Sequence, residues 1–337
     1  MLPLRTERLT VRMMREVDLP AFIAYRNDPD IARYQDWALP FTEHDGRRII
    51  DDQATLAGPT PGTWVQLAVD RSGVMVGDVA VGLDDAGTQA TVGYTLAAAH
   101  QGKGYAGEAL AAVVDALCAA GVHRFEASLY PENIPSMRVV EAVGFTFESL
   151  IRESVALPDS WADDLRYSML AADRHAWRER DLSPVRDVRL VALDGDNLDA
   201  YMALATHWSQ QKFVRPVAPS LGQASVPITV RGGLLQAESF GIEADGAPVG
   251  FLQLADRSLT HDEPYLWRLL IDRWHQRRGI GTRVLDLVLE RTKAAGHRTL
   301  TVSYGEYPGT PRPVYLRFGF VPTGEIVDNE AVARLTW

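Results

Sequence analysis

A mixed-sheet α/β fold, an α+β arrangement built twice in tandem, is what this chain of 337 residues predicts. Three observations carry that expectation. Gln101-Gly102-Lys103-Gly104-Tyr105-Ala106 returns as Gln276-Arg277-Arg278-Gly279-Ile280-Gly281. A shift of 175 positions also lays Ala119-Ala120-Gly121 on Ala294-Ala295-Gly296 and Gly144-Phe145 on Gly319-Phe320, without a gap. In both halves strand-like runs precede and follow the glycine phrase, and a helical run lies directly behind it.

The elements follow in order. Leu9 to Met13 reads as a strand, and Asp18-Leu19-Pro20 starts a helix through Phe22, Ile23 and Tyr25 with Asp18 as N-cap. Asn27-Asp28-Pro29 ends or interrupts it, and a second helix around Glu43 to Leu56 follows. Trp64–Val69, Met75–Leu83 around a Ser72-Gly73 turn, and Ala90–Leu96 are strands. Behind the first loop, Leu110, Val113, Val114, Leu117 and Cys118 keep a 3.6-residue period. Phe125, Ala127 and Leu129 alternate as a strand; Ser136 to Val143 is a helix stopped by Gly144; strands near 145–150 and 166–170 close the unit.

The charged run Arg178 to Pro184 is the linker, which places the domains at 1–180 and 186–337. The second unit repeats the order. Val188–Val191 is a strand and Asp196–Ala205 a helix. Phe240–Glu243 and Pro248–Leu254 form a hairpin at Asp245-Gly246, and Trp267–Ile271 is a strand. The loop then opens a helix bearing Ile280, Val284, Leu285, Val288 and Leu289, followed by alternating Leu300, Val302 and Tyr304.

Composition bounds the function. The net charge of −10 argues against nucleic acid, which needs a basic face. The first 180 residues hold 17 Lys+Arg against 26 Asp+Glu, and the rest 17 against 18. That asymmetry reads as solubility, with attraction of a cationic amine as the sharper option. Lone Cys118 excludes an internal disulfide and a multi-cysteine metal site. The apolar run Ala109–Val122 is broken by Asp115 and too short to span a bilayer. A soluble, cytoplasmic protein without metal or membrane partner is expected.

A glycine turn between strand and helix leaves backbone N–H groups that no ladder uses, and these form an anion site with the helix N-terminus. Gly104 and Gly279, with Ala106 and Gly281, are small where a phosphate must approach the main chain. Lys103, Arg277 and Arg278 add positive charge. The pattern is neither the dinucleotide Gly-x-Gly-x-x-Gly nor a nucleotide P-loop.

The loop, its helix and the Gly-Phe ending resemble the GNAT superfamily of acetyl-CoA-dependent N-acetyltransferases, once per half. The resemblance implies two tandem acyl-CoA N-acyltransferase domains, with acetyl-CoA as acyl-donor substrate. It also implies coenzyme contacts at Leu96, Gln101, Gly102, Lys103, Gly104, Tyr105, Ala106 and Asn133, and at Ile271, Gln276, Arg277, Arg278, Gly279, Ile280 and Gly281. On Leu4–Leu9, Val92-Gly93-Tyr94, Gly104–Ala109 and Asn133–Glu141, the first half is similar to ribosomal-protein alanine/serine N-acetyltransferases. On Gln211–Pro216, Leu270–Arg273, the second loop and Gly319–Glu325, the second half is similar to bacterial polyamine (spermine/spermidine) acetyltransferases.

Acetyl transfer needs a neutral amine, a polarised thioester carbonyl and protonation of the departing thiolate. An alkylamine with pKa about 10.4 requires a base, whereas a thiol with pKa about 8.5 needs little acid help. Backbone N–H groups near Leu96 and Ile271 are expected to hold the carbonyl oxygen. Tyr315, four residues before Gly319, stands where the superfamily places its acid; its counterpart is Val140. The first half offers Asn133 and Ser136 where the second has Pro308 and Pro311. Asp272 is the first-ranked base, ahead of Glu306, Glu126 and Glu132. Trp37, Trp64, Trp208, Trp267 and Trp274 are core fillers or walls of an amine pocket. The expected acceptor is a primary amine of a small molecule (polyamine, aminoglycoside or amino acid) or a protein N-terminus, served by a monomer or homodimer. The alternatives are one catalytic half beside a structural half, and an acyl-CoA sensor without turnover.

Overall fold

In the computed structural model, which describes residues 2–157, 160–226, 228–230, 233–258, 260–307 and 309–337, the chain divides into two compact units, Met1–Glu179 and Arg180–Trp337. Unit 1 runs β1 (Leu4–Arg5), β2 (Thr10–Met13), α1 (Leu19–Arg26), α2 (Pro29–Ala32), α3 (Glu43–Asp52), β3 (Trp64–Arg71), β4 (Val74–Leu83) and β5 (Gln89–Leu96). It continues α4 (Tyr105–Ala119), β6 (Arg124–Leu129), α5 (Ile134–Val143), β7 (Thr146–Ala156), β8 (Trp161–Leu170) and α6 (Ala171–Glu179). Its sheet is ordered β1-β2-β3-β4-β5-β6-β8-β7.

Unit 2 runs β9 (Val188–Ala192), α7 (Leu198–Met202), α8 (Trp208–Gln211), α9 (Val217–Ser225), a short pair β10 (Thr229–Val230) and β11 (Gly233–Leu234), β12 (Ala237–Ala244) and β13 (Ala247–Ala255). Next come β14 (Tyr265–Ile271), α10 (Ile280–Ala294), β15 (Thr299–Gly305), α11 (Arg312–Phe318), β16 (Val321–Val327) and β17 (Glu330–Thr336). Its main sheet, β9-β12-β13-β14-β15-β17-β16, repeats the order of β2 to β7.

Each unit buries both faces of its sheet. On one face of unit 1, Leu110, Val113, Val114 and Leu117 of α4 and Met137 and Val140 of α5 pack on the strands. On the other, Phe22 and Tyr25 of α1 and Ile50 of α3 meet Ala68 and Met75. Strands covered twice need apolar side chains at successive positions, and Val76 to Val81 of β4 is buried throughout. In unit 2, α10 and α11 supply one core, and Val217 of α9 meets Phe251 and Leu270 in the other.

The 175-residue offset survives to the level of single torsions. Both α4 and α10 have 15 residues, and each is preceded by a left-handed glycine, Gly104 at φ 81° and Gly279 at φ 80°. Gly144 and Gly319 end α5 and α11 at φ 114° and 113°. Gly102 at φ 70° is matched by Arg277 at φ 67°, so a side chain occupies a backbone state that glycine holds without strain.

Some expected elements are redrawn. The helix expected over Glu43–Leu56 stops at Asp52, and the one over Asp196–Ala205 is the single turn Leu198–Met202. Both α8 and α9 are additional, flanking Pro216 where an extended stretch ends. Unit 2 also finishes with a full hairpin, β16–β17, turned by Asp328 and Asn329 at φ 50° and 65°. Two consecutive positive φ values give the tight turn that matches strand twist; Ser72-Gly73 and Asp245-Gly246 make the same turn.

His207 opens α8: its carbonyl accepts the Gln210 backbone N–H at 2.9 Å, and Gln210 Oε1 accepts the His207 backbone N–H at 3.1 Å. The His207 ring is pressed toward its neutral form. Burial, then Arg273 and Arg277, push its pKa down to about 4 from 6.5. Between those values the unfolded chain binds a proton that the folded chain does not, so stability is lost as pH falls through that window. Urea unfolding of unit 2 is expected to lose up to about 3 kcal/mol from pH 7 to 4 through this group, a slope that His207→Asn abolishes. Separately, Arg277→Gly should stabilise unit 2 by up to about 1 kcal/mol, and Gly102→Ala should destabilise unit 1 by about as much. Thermal melts of the two variants check the sign.

Candidate active site

The sheets open where parallel strands meet. β5 and β6 pair only over Gln89–Thr91 against Arg124–Glu126, while β5 continues to Leu96. β14 and β15 pair only at Tyr265 and Thr301. A bulge adds to the second opening: Leu254 faces Leu266 and Gln253 faces Arg268, so Trp267 has no opposite residue on β13. Each divergence leads to its glycine loop.

The loops are braced identically. Gln101 Nε2 donates to the Leu96 carbonyl and Gln276 Nε2 to the Ile271 carbonyl, both at 3.0 Å. Gln276 also exchanges amide bonds with Gln210 at 2.8 and 3.2 Å, tying α8 to the loop. No side chain caps α4 or α10. A Cβ built on Gly102, Gly279 or Gly281 meets nothing within 4 Å. Open space over uncapped helix N-termini suits a diphosphate, so acetyl-CoA fits the residues present.

Not every expected loop contact is turned that way. Arg278 is spent on unit 2 itself: it donates to Asp181 at 3.0 Å and to the Ser183 carbonyl at 2.9 Å, and lies 3.8 Å from Asp245. Lys103 Nζ donates to the Ala99 carbonyl at 2.6 Å. The cations beside the loops are instead Arg8 in unit 1, and Arg277 with Arg317 in unit 2. Arg8 donates to the Lys103 carbonyl at 2.9 Å, lies 4.8 Å from the Tyr105 ring centre, and is held by Glu108. Arg277 and Arg317 line the unit 2 cavity.

That cavity, about 470 Å³, runs from Gly279–Thr282 past Ile271 and His275 to Thr310, Val314 and Tyr315. Burial lowers the His275 pKa, which favours a neutral ring. Tyr315 is buried against Tyr304 and Phe320, with ring centres 6.2 and 5.6 Å away. Burial raises its hydroxyl pKa well above the ordinary 10, so it stays protonated and able to donate. The buried Tyr304 hydroxyl has no hydrogen-bond partner among the described residues.

A second cavity, about 400 Å³, adjoins the first and shares Phe213, Val214, Tyr265, Trp267, Arg268, Ser303 and Glu330 with it. The two therefore meet through the gap between β14 and β15. Within the gap, Tyr265 Oη and Ser303 Oγ are 2.7 Å apart, and Ser303 Oγ donates to Glu330 Oε2 in a short bond. Glu330 gives no signal in the sequence beyond following the Asp328-Asn329 turn.

Asp272, the first-ranked base, is redirected by the structure. Its carboxylate accepts the Ala205 and Trp274 backbone N–H groups, both at 2.9 Å, and is buried outside both cavity linings. It clamps the loop that follows β14. Glu306 and Glu132 are exposed, and Glu126 is paired with Arg124. In unit 1, Asn133 Oδ1 caps α5 by accepting the Ser136 N–H at 3.2 Å, and Ser136 Oγ lies 2.6 Å from the Tyr94 hydroxyl. Tyr94 sits on β5 beyond its last pairing with β6, placing both hydroxyls at the first opening. Leu96 packs into the core below the loop, and Ile271 lines the second cavity. Pro308 lies outside the described residues.

Of the tryptophans, Trp37 stacks on buried Arg26 at 4.0 Å, Trp64 lies over Gly82, and Trp267 walls both unit 2 cavities. Cys118 packs against the unit 1 core. Among the described residues no cluster of three potential metal ligands occurs, and no helix is long and apolar enough to cross a membrane.

Both halves of the chain match known acetyltransferase domains. Two family models, each described as an acetyltransferase (GNAT) domain, match residues 8–146 and 231–334. The chain is similar to the uncharacterized N-acetyltransferase p20 of Bacillus licheniformis, 29% identical over 170 residues, covering 50% of this chain and 95% of that protein. It is also similar to the probable N-acetyltransferase YjcK of Bacillus subtilis, 41% identical over 85 residues, or 25% and 47% of the two chains. Similar solved structures include RimJ of Mycobacterium smegmatis in complex with CoA-disulfide: 26% identity, 50% and 86% of the two chains, TM-score 0.43. Another is spermidine N-acetyltransferase of Vibrio cholerae in complex with CoA and spermine: 18% identity, 50% and 99%, TM-score 0.45. With a GNAT domain matched in each half, the chain belongs to the GNAT family of N-acetyltransferases and carries two such domains in tandem.

Proposed function

We propose that unit 2 transfers the acetyl group of acetyl-CoA directly to a primary amine, of a small molecule or a protein N-terminus, inside the β14–β15 gap. The observation that carries this reading is the pair of joined cavities. The loop-side cavity fits the donor, the other fits the acceptor, and the gap between them is where they meet. The coenzyme's diphosphate lies on the main chain of 276–281, helped by Arg277 and Arg317, and the bulged strand β14 offers backbone N–H groups for the carbonyl oxygen.

The amine nitrogen forms a bond to the acyl carbon while the carbon–sulfur bond breaks. The nitrogen's surplus proton passes to Glu330, directly or through Ser303 and Tyr265, which already form a bonded chain in the gap. The departing sulfur takes a proton from Tyr315. Acid and base thus line the same cavity, one from α11 and the other from β17. Unit 1 binds its own acetyl-CoA through Gln101, Gly102, Gly104, Tyr105 and Ala106, with Ser136 and Tyr94 as proton donors at its opening.

Saturation binding is expected to give two acetyl-CoA per chain, falling to one with Gly279→Val. With unit 1 blocked by Gly104→Val, Tyr315→Phe should lower kcat about 100-fold with little change in the acetyl-CoA KM. Glu330→Gln should do the same. Asp272→Asn is the contrast: it should lose about 1–3 kcal/mol of stability and leave kcat within a few-fold of the parent. Undiminished turnover in Tyr315→Phe or Glu330→Gln would strip that residue of its role, and no thiol release with any amine would end the transferase reading of this unit.

A further inference from the structure

The acceptor-side cavity of unit 2 carries an excess of positive charge. Lys212, Arg215 and Arg268 line it against Asp328 and Glu330. Among the described residues none of the three cations makes a salt bridge. Arg268 is half-buried; it donates from Nη1 to the Trp267 carbonyl at 2.7 Å and from Nη2 to Gln223 Oε1 at 3.2 Å, both neutral acceptors. Its buried Nε has no acceptor. Its pKa is lowered by burial and by the nearby charge of Arg215, which opposes the raising influences of Tyr265 and Glu330. Two guanidinium groups that repel each other beside a half-buried cavity are stabilised by a bound anion.

A polycation does not fit such a wall. A spermidine-like chain would bring further ammonium groups toward Arg215, Arg268 and Lys212, and two carboxylates against three cations leave no excess negative charge to hold them. A single amine directed at Glu330 in the gap, with an oxyanion on the same molecule reaching the arginines, sets each charge of the acceptor against an opposite charge of the cavity.

Resting on the transferase reading above, we propose that the acceptor of unit 2 is an acid-bearing amine, its carboxylate or phosphonate-type oxyanion held by Arg215 and Arg268 while its nitrogen faces Glu330. Carboxylate and phosphorus oxyanion share the chemistry that a planar, five-donor guanidinium recognises.

The test uses the full chain with unit 1 blocked by Gly104→Val and four amines of similar length: butylamine, 1,4-diaminobutane, 4-aminobutyrate and 3-aminopropylphosphonate. CoA release should give a kcat/KM for at least one acid-bearing amine about tenfold or more above butylamine, and the two acids rank carboxylate against phosphorus oxyanion. Arg215→Gln is the main variant because the Arg215 side chain is exposed and makes no salt bridge among the described residues. It should reduce the acid-to-butylamine ratio about tenfold, chiefly through KM, and Arg268→Gln should do likewise.

A preference for butylamine or diaminobutane, or an acid preference that survives both substitutions, overturns the proposal while leaving acetyl transfer intact. If none of the four amines releases CoA, that failure counts against the transferase reading rather than against the charged wall. Calorimetric titration of 4-aminobutyrate and 3-aminopropylphosphonate into the CoA-saturated chain then decides the site. Binding that weakens about tenfold in Arg215→Gln supports it, and no Arg215-dependent binding of either acid overturns it.

Discussion

Everything in each unit is arranged around one backbone torsion, the left-handed residue that turns the chain from a sheet strand into a long helix. Gly104 and Gly279 adopt it within a degree of each other. With that torsion the helix begins abruptly and its first-turn N–H groups point out of the loop, uncapped. A side chain capping those groups would satisfy them internally and close the anion site. The glutamine brace then fixes the loop against the strand carbonyl at the same 3.0 Å in both units. Position and polarity of the proposed anion cradle are therefore properties of the main chain, which is why they persist while the side chains around them diverge.

The divergence is most visible in what the two openings contain. Unit 1 places a Tyr94–Ser136 hydroxyl pair there, with Val140 at the position that Tyr315 occupies in unit 2. Unit 2 has a strand bulge at Trp267 and a single parallel bridge, so its strands separate sooner than the three-pair ladder of unit 1 allows. Earlier separation makes room for Tyr265, Ser303 and Glu330 within the gap. The same scaffold thus presents neutral hydroxyls in one copy and a hydroxyl–carboxylate chain in the other.

What was legible in the sequence was what the backbone encodes locally. The glycines at fixed offsets, the 3.6-residue stripes of α4 and α10 and the paired-positive-φ turns at Ser72-Gly73 and Asp245-Gly246 all mark themselves within a few residues. The tandem GNAT fold followed from those marks. The roles of long side chains did not, because they depend on partners far along the chain. Arg278 looks like a phosphate ligand beside its glycine, but Asp181 and the Ser183 carbonyl, nearly a hundred residues earlier, take it. Asp272 looks like a base at a strand end, yet the Ala205 N–H claims one oxygen from across the fold. Arg277 hides a torsion that its counterpart Gly102 would have disclosed.

Glu330 shows why the gap chemistry lay beyond local reading. It sits one residue past a tight turn, on β17 opposite Gly305 of β15, where an acidic residue ordinarily marks a solvated hairpin end. Only closure of the sheet, with β17 beside β15 and β15 diverging from β14, sets that carboxylate within reach of Ser303 and Tyr265. Tyr315 reaches the same gap from α11, its torsional stop at Gly319 fixing where the helix ends. The proposed proton acceptor, on the sheet, and the proposed proton donor, on a helix, reach the same cavity from independent elements. Each can then change with little disturbance to the other, and neither moves the main-chain cradle. The proposed acceptor wall, built by the segment around Lys212–Arg215 and by Arg268, is a third such element. On the proposed roles, specificity in this unit is separable, residue by residue, from both donor binding and proton transfer.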